Sequence, residues 1–320
     1  MPNLNFIFFS GKNPKWKFFA KGFFQYITPQ YFCRRQLNSL LESIELRDDK
    51  DYIYERVNYY NQLTEQTALS NSASLLKDHK WGKKVTSYFI DSYEYSRYFN
   101  PSFKWCTCFG DVTWVPKCPS IVKSRPIKEN NTNSILLNLD KVRHFIFIQD
   151  KMKFEEKKDA ALFRGKVNGK PNRIDCMKKF FGSERISVGA IDKNPPVADW
   201  HTEKLTLWQQ LEYRYILALE GNDVASNLKW VMSSNSIAMM PQPTYETWFM
   251  EAKLIPNYHY IEIKPDFSDI EEKMNYYSEH KDEALLIIKH AHEYVEQFQD
   301  KEREKLISLA VLNKYFEKTF

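Results

Sequence analysis

No run of about 18 apolar residues occurs in the 320-residue chain, so no membrane-spanning helix is expected. Glycine is scarce, nine residues in all, and neither G-x-G-x-x-G nor a Walker phosphate loop is present. That weighs against a kinase and against a nicotinamide dehydrogenase. The five cysteines (Cys33, Cys106, Cys108, Cys118 and Cys176) are odd in number, and their spacing fits neither C-x-x-C nor a zinc knuckle. Reduced, structural thiols are expected. Histidine offers no metal set: His290 and His292 are two apart on an expected helix and point to different sides. The one D-x-D, Asp49-Lys50-Asp51, stands in a charged segment with no strand before it and reads as a solvated face. A signal-peptide pattern is also missing. Phe6–Phe9 is short, with no charged segment before it and no small-residue cleavage site after it, so a cytosolic location is expected.

Apolar residues make up 43% of the chain and charged residues 27%, enough for two compact units and unlike a disordered chain. Aromatics reach 16%, which suits sugar- or base-binding clefts and suits aromatic cores equally. The net charge of +5 is local in origin. Residues 1–35 carry Lys12, Lys15, Lys17, Lys21, Arg34 and Arg35 and no acid, interleaved with Trp16, Phe18, Phe19, Phe23 and Phe24. Such a stretch suits an anionic membrane surface or nucleic acid. It equally suits an ordinary first strand and helix with a solvated basic face.

Residues 30–80 read mainly as helix, with Leu37, Leu40, Leu41 and Ile44 at helical spacing. Residues 85–90 and 142–148 read as strands, and 100–130, with four prolines, as loop-rich. The charged run 151–159 is the candidate linker. Beyond it, short apolar strands are expected at 160–163, 186–191, 215–219, 237–240 and 259–263. Strand, tight turn, helix and strand across 215–240 form a βαβ crossover, which implies a parallel sheet. Residues 268–319 read as two or three helices.

Three stretches carry candidate chemistry. In ILALEGNDVASNLKWVMSS (216–234), Glu220, Gly221, Asn222 and Asp223 follow a strand, and Asp223 is a candidate N-cap for a helix over 224–234. That spacing puts Val224, Leu228 and Val231 on the sheet side and Ser226, Lys229 and Ser233 outward, with Asn227 between. A lysine and a hydroxyl near a helix start, at the carboxyl end of a parallel strand, suit a phosphate. An ordinary solvated helix face has the same pattern. In ALFRGKVNGKPNRIDCMKKFFG (161–182), Arg164 follows a strand, Gly165 permits close backbone approach and Arg173 opens a helix. Two arginines flanking one loop can fork onto a diphosphate, or form surface ion pairs. In FGDVTWVPKCPSIVKSRPI (109–127), Asp111 sits among Phe109, Trp114 and Val115, where a carboxylate can act as a general base or cap a turn. Lys123 and Arg125 follow as candidates to reach an anionic substrate. Glu220 and Glu246 are the further carboxylates expected to meet substrate, and next in line as base.

These stretches, in this order and with ETWFMEAKLIPNYHYIEIKPDFSDIEEKM beyond them, resemble glycosyltransferase family 90, and specifically its bacterial lipopolysaccharide-core members. The resemblance spans residues 105–300. It implies an α/β chain of GT-B type, two Rossmann-like domains facing across a cleft, with C-terminal helices packing back on the N-terminal domain. The implied division is 1–158 on the acceptor side, 159–284 for the nucleotide sugar and 285–320 for the C-terminal helices. It further implies a UDP-sugar donor, inversion and no metal. Asp111 falls on the family's catalytic base. Arg164, Gly165 and Arg173 fall on its nucleotide-binding loop. Lys229, with Asn222, Asp223, Ser226 and Asn227 around it, falls on its diphosphate-binding helix. Gly110 stands where eukaryotic members have arginine. The expected partners are a UDP-sugar, a lipopolysaccharide core sugar and the inner-membrane surface, with no nucleic acid. The alternatives are a protein or capsule acceptor, a nucleotide-dependent phosphotransferase, or a non-enzymatic basic module that binds membrane or nucleic acid.

Overall fold

The apolar runs between 158 and 263 form one five-stranded sheet, all parallel: Ile186–Ala190, Lys158–Gly165, Tyr213–Leu217, Ile237–Met240 and Ile261–Glu262, in that spatial order. Their residues are buried on both faces (Ala161 and Leu162, Ile216 and Leu217, Met239 and Met240), as a parallel sheet covered by helices requires. This computed structural model describes residues 10–83, 85–127 and 129–319. The run Phe6–Phe9 and the rest of residues 1–9 therefore lie outside the described residues. The protein is an α/β chain with parallel sheets, as expected.

The chain divides into two compact units. The first contains residues 10–13, Arg143–Pro243 and Ala252–Gln297. Its core joins Phe163, Tyr215 and Met239 of the sheet to Cys176 and Met177 of the helix Pro171–Phe180, Met274 of Ile270–Glu279, and Ile287 of Lys281–Glu296. The second contains Pro14–Val142, Thr244–Glu251 and residues 298–319. Here helices Lys15–Ile27, Gln30–Glu42, Lys50–Tyr60 and Ser87–Ser96 accompany a small parallel sheet of Thr107–Cys108, Ser120–Val122 and Ser134–Leu136. The helix Lys301–Thr319 packs on three of these helices.

The units do not part at 158 and 284. The expected linker at 151–159 holds a turn, Phe154–Glu156, and the start of a strand, while the units change at Arg143. Residues 244–251 return to the second unit. Within it, Trp248 stacks on Tyr60 at 3.8 Å and donates its indole N–H to Glu304, which also pairs with the buried Arg56. Only the last helix, not everything after 284, belongs with the N-terminal helices. The strand expected at 85–90 is a helix, Ser87–Ser96, because the Thr86 hydroxyl accepts the Phe89 N–H at 3.2 Å and caps it. Residues 142–148 form no strand. They begin inside a single helical turn, Lys141–His144. Among the described residues, no helix is long and apolar enough to cross a membrane.

Candidate functional site

The spatial order of the large sheet, in chain order 2-1-3-4-5, places a switch point between its first and third strands, Lys158–Gly165 and Tyr213–Leu217. Connections leave these two neighbours in opposite directions, so a crevice forms beyond their carboxyl ends, and ligands of open α/β sheets bind there. The stretches that begin at Arg164 and at Ala218 leave these two ends. Two of the three candidate stretches, far apart in sequence, are thereby neighbours.

Arg173 binds them together. Its Nε donates to the Glu220 carbonyl at 2.9 Å, its Nη2 to that of Leu219 at 2.7 Å and its Nη1 to that of Lys166 at 2.9 Å. Asn172 donates to the same Glu220 carbonyl at 3.0 Å. Burial lowers the Arg173 pKa to about 10, against which Asp192 acts to raise it. At Gly221 a Cβ would lie 3.1 Å from Arg173 Nη2, a tight approach that would push on the guanidinium. At Gly165 a Cβ would lie 2.8 Å from the Phe163 ring. Both glycines allow the close approach that the clasp requires.

The expected diphosphate fork of Arg164 and Arg173 is not what these side chains make. Arg164 is turned back along the sheet. Its Nη1 donates to the carbonyls of Phe163 at 2.8 Å and Ser187 at 2.9 Å, and its Nη2 to the Ser187 hydroxyl at 2.9 Å. Ser187 pairs with Leu162, two residues before Arg164. A carbonyl-rich sheet edge satisfies this half-buried cation without a ligand. Burial lowers its pKa.

The helix expected over 224–234 is shorter, Leu228–Met232, and its N-cap position is Asn227, whose amide donates to Leu217 O at 3.1 Å. Asp223 is not the cap. It is buried in the preceding loop, where its carbonyl accepts the Gly221 N–H at 2.9 Å. Lys229, expected to face outward, is wholly buried. Asn222 and Ser226 do face solvent, and Glu220 is half-buried. Asp192, whose carboxylate accepts the Val167 N–H at 2.7 Å and shapes the neighbouring loop, had no signal in the sequence.

In the second unit, Asp111 follows Gly110, whose φ of 122° an L side chain rarely adopts. Its carboxylate pairs with Lys123 Nζ at 2.5 Å. The Lys123 side chain is 2% exposed and that of Asp111 28%, so the pair presents the carboxylate and hides the lysine. Ser124 fixes the loop from both sides, donating to Val112 O at 2.9 Å and accepting from Val112 N at 3.1 Å. Phe109 stacks on Tyr88, and Trp114 stands exposed. Lys123 thus positions Asp111.

Arg125 and Glu246 do not face a substrate. The antiparallel pairing of Ser124–Pro126 with Tyr245–Thr247 sets them opposite each other, and Arg125 Nε donates to Glu246 at 2.7 Å. Arg125 also donates to the carbonyls of Ser134 at 3.1 Å and Tyr59 at 2.9 Å, and the Tyr59 hydroxyl donates to Glu246. Both residues are buried. Burial and the Glu246 charge push the Tyr59 phenol up. Removing one member of a buried pair costs on the order of 3–5 kcal/mol, so Glu246→Gln is expected to lower unfolding stability in urea by about that much. A loss of turnover with stability unchanged would instead put Glu246 in the chemistry.

Of the D-x-D pair, Asp49 is engaged within the protein and Asp51 is exposed at the start of the helix Lys50–Tyr60. Asp49 binds Arg47 at 2.6 Å and Arg303 at 3.2 Å, and the Arg47 hydrogen bond lowers its carboxyl to about 2.

The profile described as glycosyl transferase family 90 matches residues 134–317. A relative, "O-glucosyltransferase LpsA" of Dichelobacter nodosus, is 38% identical over 304 residues, 94% of this chain and 95% of its own length.

Proposed function

The chain belongs to glycosyltransferase family 90, and we propose that it transfers a hexose, glucose or galactose, from a UDP-sugar to a lipopolysaccharide core sugar with inversion at the anomeric carbon. The observation that carries this reading is the switch point of the five-stranded sheet, with the Arg164 and Glu220–Asn227 segments at its mouth. In this reading the UDP moiety occupies that mouth. Exposed Asn222 and Ser226 supply neutral donors, and the Arg173 clasp holds the loop in shape. Arg164, Arg173 and Lys229 contribute positive charge beneath the leaving diphosphate. Asp111 takes the proton from the acceptor hydroxyl as that oxygen attacks C1. The C1–O bond to the diphosphate breaks as the new bond forms, and UDP departs with the electron pair. The name of the relative, an O-glucosyltransferase, supports glucose as the sugar transferred. A GT-B organisation and a cytoplasmic site of action, on the inner-membrane face, belong to the same proposal.

No metal enters this reading, because Asp49 of the D-x-D is held by Arg47 and Arg303 and the cationic side chains near the switch point can offset the diphosphate. UDP affinity measured by calorimetry is expected to be the same in EDTA as in Mg²⁺ or Mn²⁺. A loss of about a hundredfold in EDTA would show that an ion carries the charge neutralisation instead. Transfer assays with UDP-glucose, UDP-galactose and a delipidated core oligosaccharide test the reading as a whole. No turnover with any donor would overturn it.

A further inference from the structure

Large apolar side chains stand in solvent along two consecutive helices of the second unit. On Lys15–Ile27, Trp16 is 70% exposed and Phe24 64%, and Phe23 and Ile27 are also exposed. On Gln30–Glu42, Tyr31 and Phe32 are exposed. The first helix already uses a different face for the core. Phe18, Phe19 and Tyr26 pack on Phe89, Ile90 and Tyr93. Gly22 lies so close to Ile90 that a Cβ would be 2.7 Å from its Cγ2. Trp16, Phe23 and Ile27, seven and then four residues apart, form a second stripe about a quarter-turn round the helix from that face, with Phe23 at the border against Trp81 at 5.6 Å. An apolar stripe left in solvent beside the packed one offers a second burial surface.

Charge narrows the identity of that partner. Residues 10–41 hold six bases and no acid. Lys21 is tied to Glu94 at 2.9 Å, but Lys15, Lys17, Arg34 and Arg35 are carried by the same two helices as the aromatic stripe. Lys17 lies over the Trp16 ring at 5.5 Å and Arg35 over Tyr31 at 5.6 Å, so bases and rings share one surface. Cations interleaved with Trp, Phe and Tyr match the boundary between anionic headgroups and acyl chains. Two copies of this face would set like charges against each other, which disfavours self-association.

We propose that helices Lys15–Ile27 and Gln30–Glu42 dock the protein on an anionic phospholipid surface, with Trp16, Phe23, Phe24 and Ile27 at the acyl boundary and Lys15, Lys17, Arg34 and Arg35 over the phosphates. The proposal rests on this surface and not on the sugar-transfer reading. It is tested by sedimenting the full chain with phosphatidylcholine vesicles that do or do not contain phosphatidylglycerol, at low and high salt. Binding is expected with phosphatidylglycerol alone, and it weakens as salt screens the charges. The triple variant Phe23→Ser, Phe24→Ser, Ile27→Ser is expected to lose at least about tenfold in partition, because these side chains supply the buried apolar area. Lys15→Gln with Lys17→Gln is expected to lose about fivefold per charge. Unchanged thermal midpoints show that the variants remain folded, and UDP affinity, read separately, reports on the transfer reading alone. Absence of binding to anionic vesicles overturns the proposal, as do variants that bind like wild type. Concentration-dependent dimerisation that the triple variant abolishes, without lipid binding, also overturns it and assigns the face to a second copy.

Discussion

Asp111→Asn is expected to lower turnover by a factor of about 10² to 10⁴, the usual contribution of a positioned general base. The substitution keeps the size of the side chain and most of its hydrogen bonding but removes the proton acceptor. The loop should stay in place, because the two Val112–Ser124 hydrogen bonds are independent of the carboxylate. The cost appears in the ion pair to the buried Lys123 amine, which an amide can replace only by a neutral hydrogen bond. A fall of a few degrees in the thermal midpoint is therefore expected beside the kinetic loss, for about 1 kcal/mol of destabilisation. UDP affinity should not change, since the nucleotide is assigned to the five-stranded sheet of the other unit. Turnover, thermal midpoint and UDP affinity on one preparation separate these effects. Turnover within about fivefold of wild type would make Asp111 a turn residue and move the search for the base to Glu220.

Arg173→Ala is expected to have the opposite profile, with UDP binding and stability falling together. The guanidinium donates to three carbonyls, those of Lys166, Leu219 and Glu220. Alanine removes all three bonds and leaves the Glu220 carbonyl its Asn172 donor, while a carbonyl that stays buried without a donor costs about 1–3 kcal/mol. The loop from Glu220 to Asn227 is then held to the helix Pro171–Phe180 by the Asn172 amide without the guanidinium fork. UDP affinity should fall by at least about tenfold, because a loop that must order on binding weakens the complex. Arg173→Lys restores the charge but not the fork, so it should recover less than half of the lost binding energy. Calorimetric titration with UDP and urea unfolding of both variants check this. If Arg173→Ala unfolds normally and binds UDP like wild type, the clasp has no part in the site.

The strands of the large sheet were legible because each is buried on both sides, and such strands are continuous apolar runs. The strand expected at 237–240 is the observed one, Ile237–Met240. The strand expected at 215–219 starts earlier, at Tyr213, since Arg214 reaches aside to the carbonyls of Phe154 and Glu155. Aromatic-rich residues 85–90 misled because ring content favours strands, while the Thr86 cap and the burial of Phe89, Ile90 and Tyr93 on one face go with helix. In the site, the segments that flank the switch point were legible from local patterns. The partners of their charged side chains were not. Arg125 meets Glu246 across 121 positions of chain, and Arg173 meets Glu220 across 47.

The sequence by itself determined the parallel α/β character, the family and the two segments that leave the switch-point strands. These depend on residue type and short-range spacing, which survive in any arrangement of the elements. Only the tertiary structure decided what each charge does. A lysine or arginine in a loop reads the same whether it faces a ligand or a backbone carbonyl. Burial requires every such group to find a partner, and the fold chooses which. It turned Arg164 back onto Ser187, put Lys229 inside, locked Arg125 onto Glu246, and left the carboxylate of Asp111 at the surface with a buried lysine behind it.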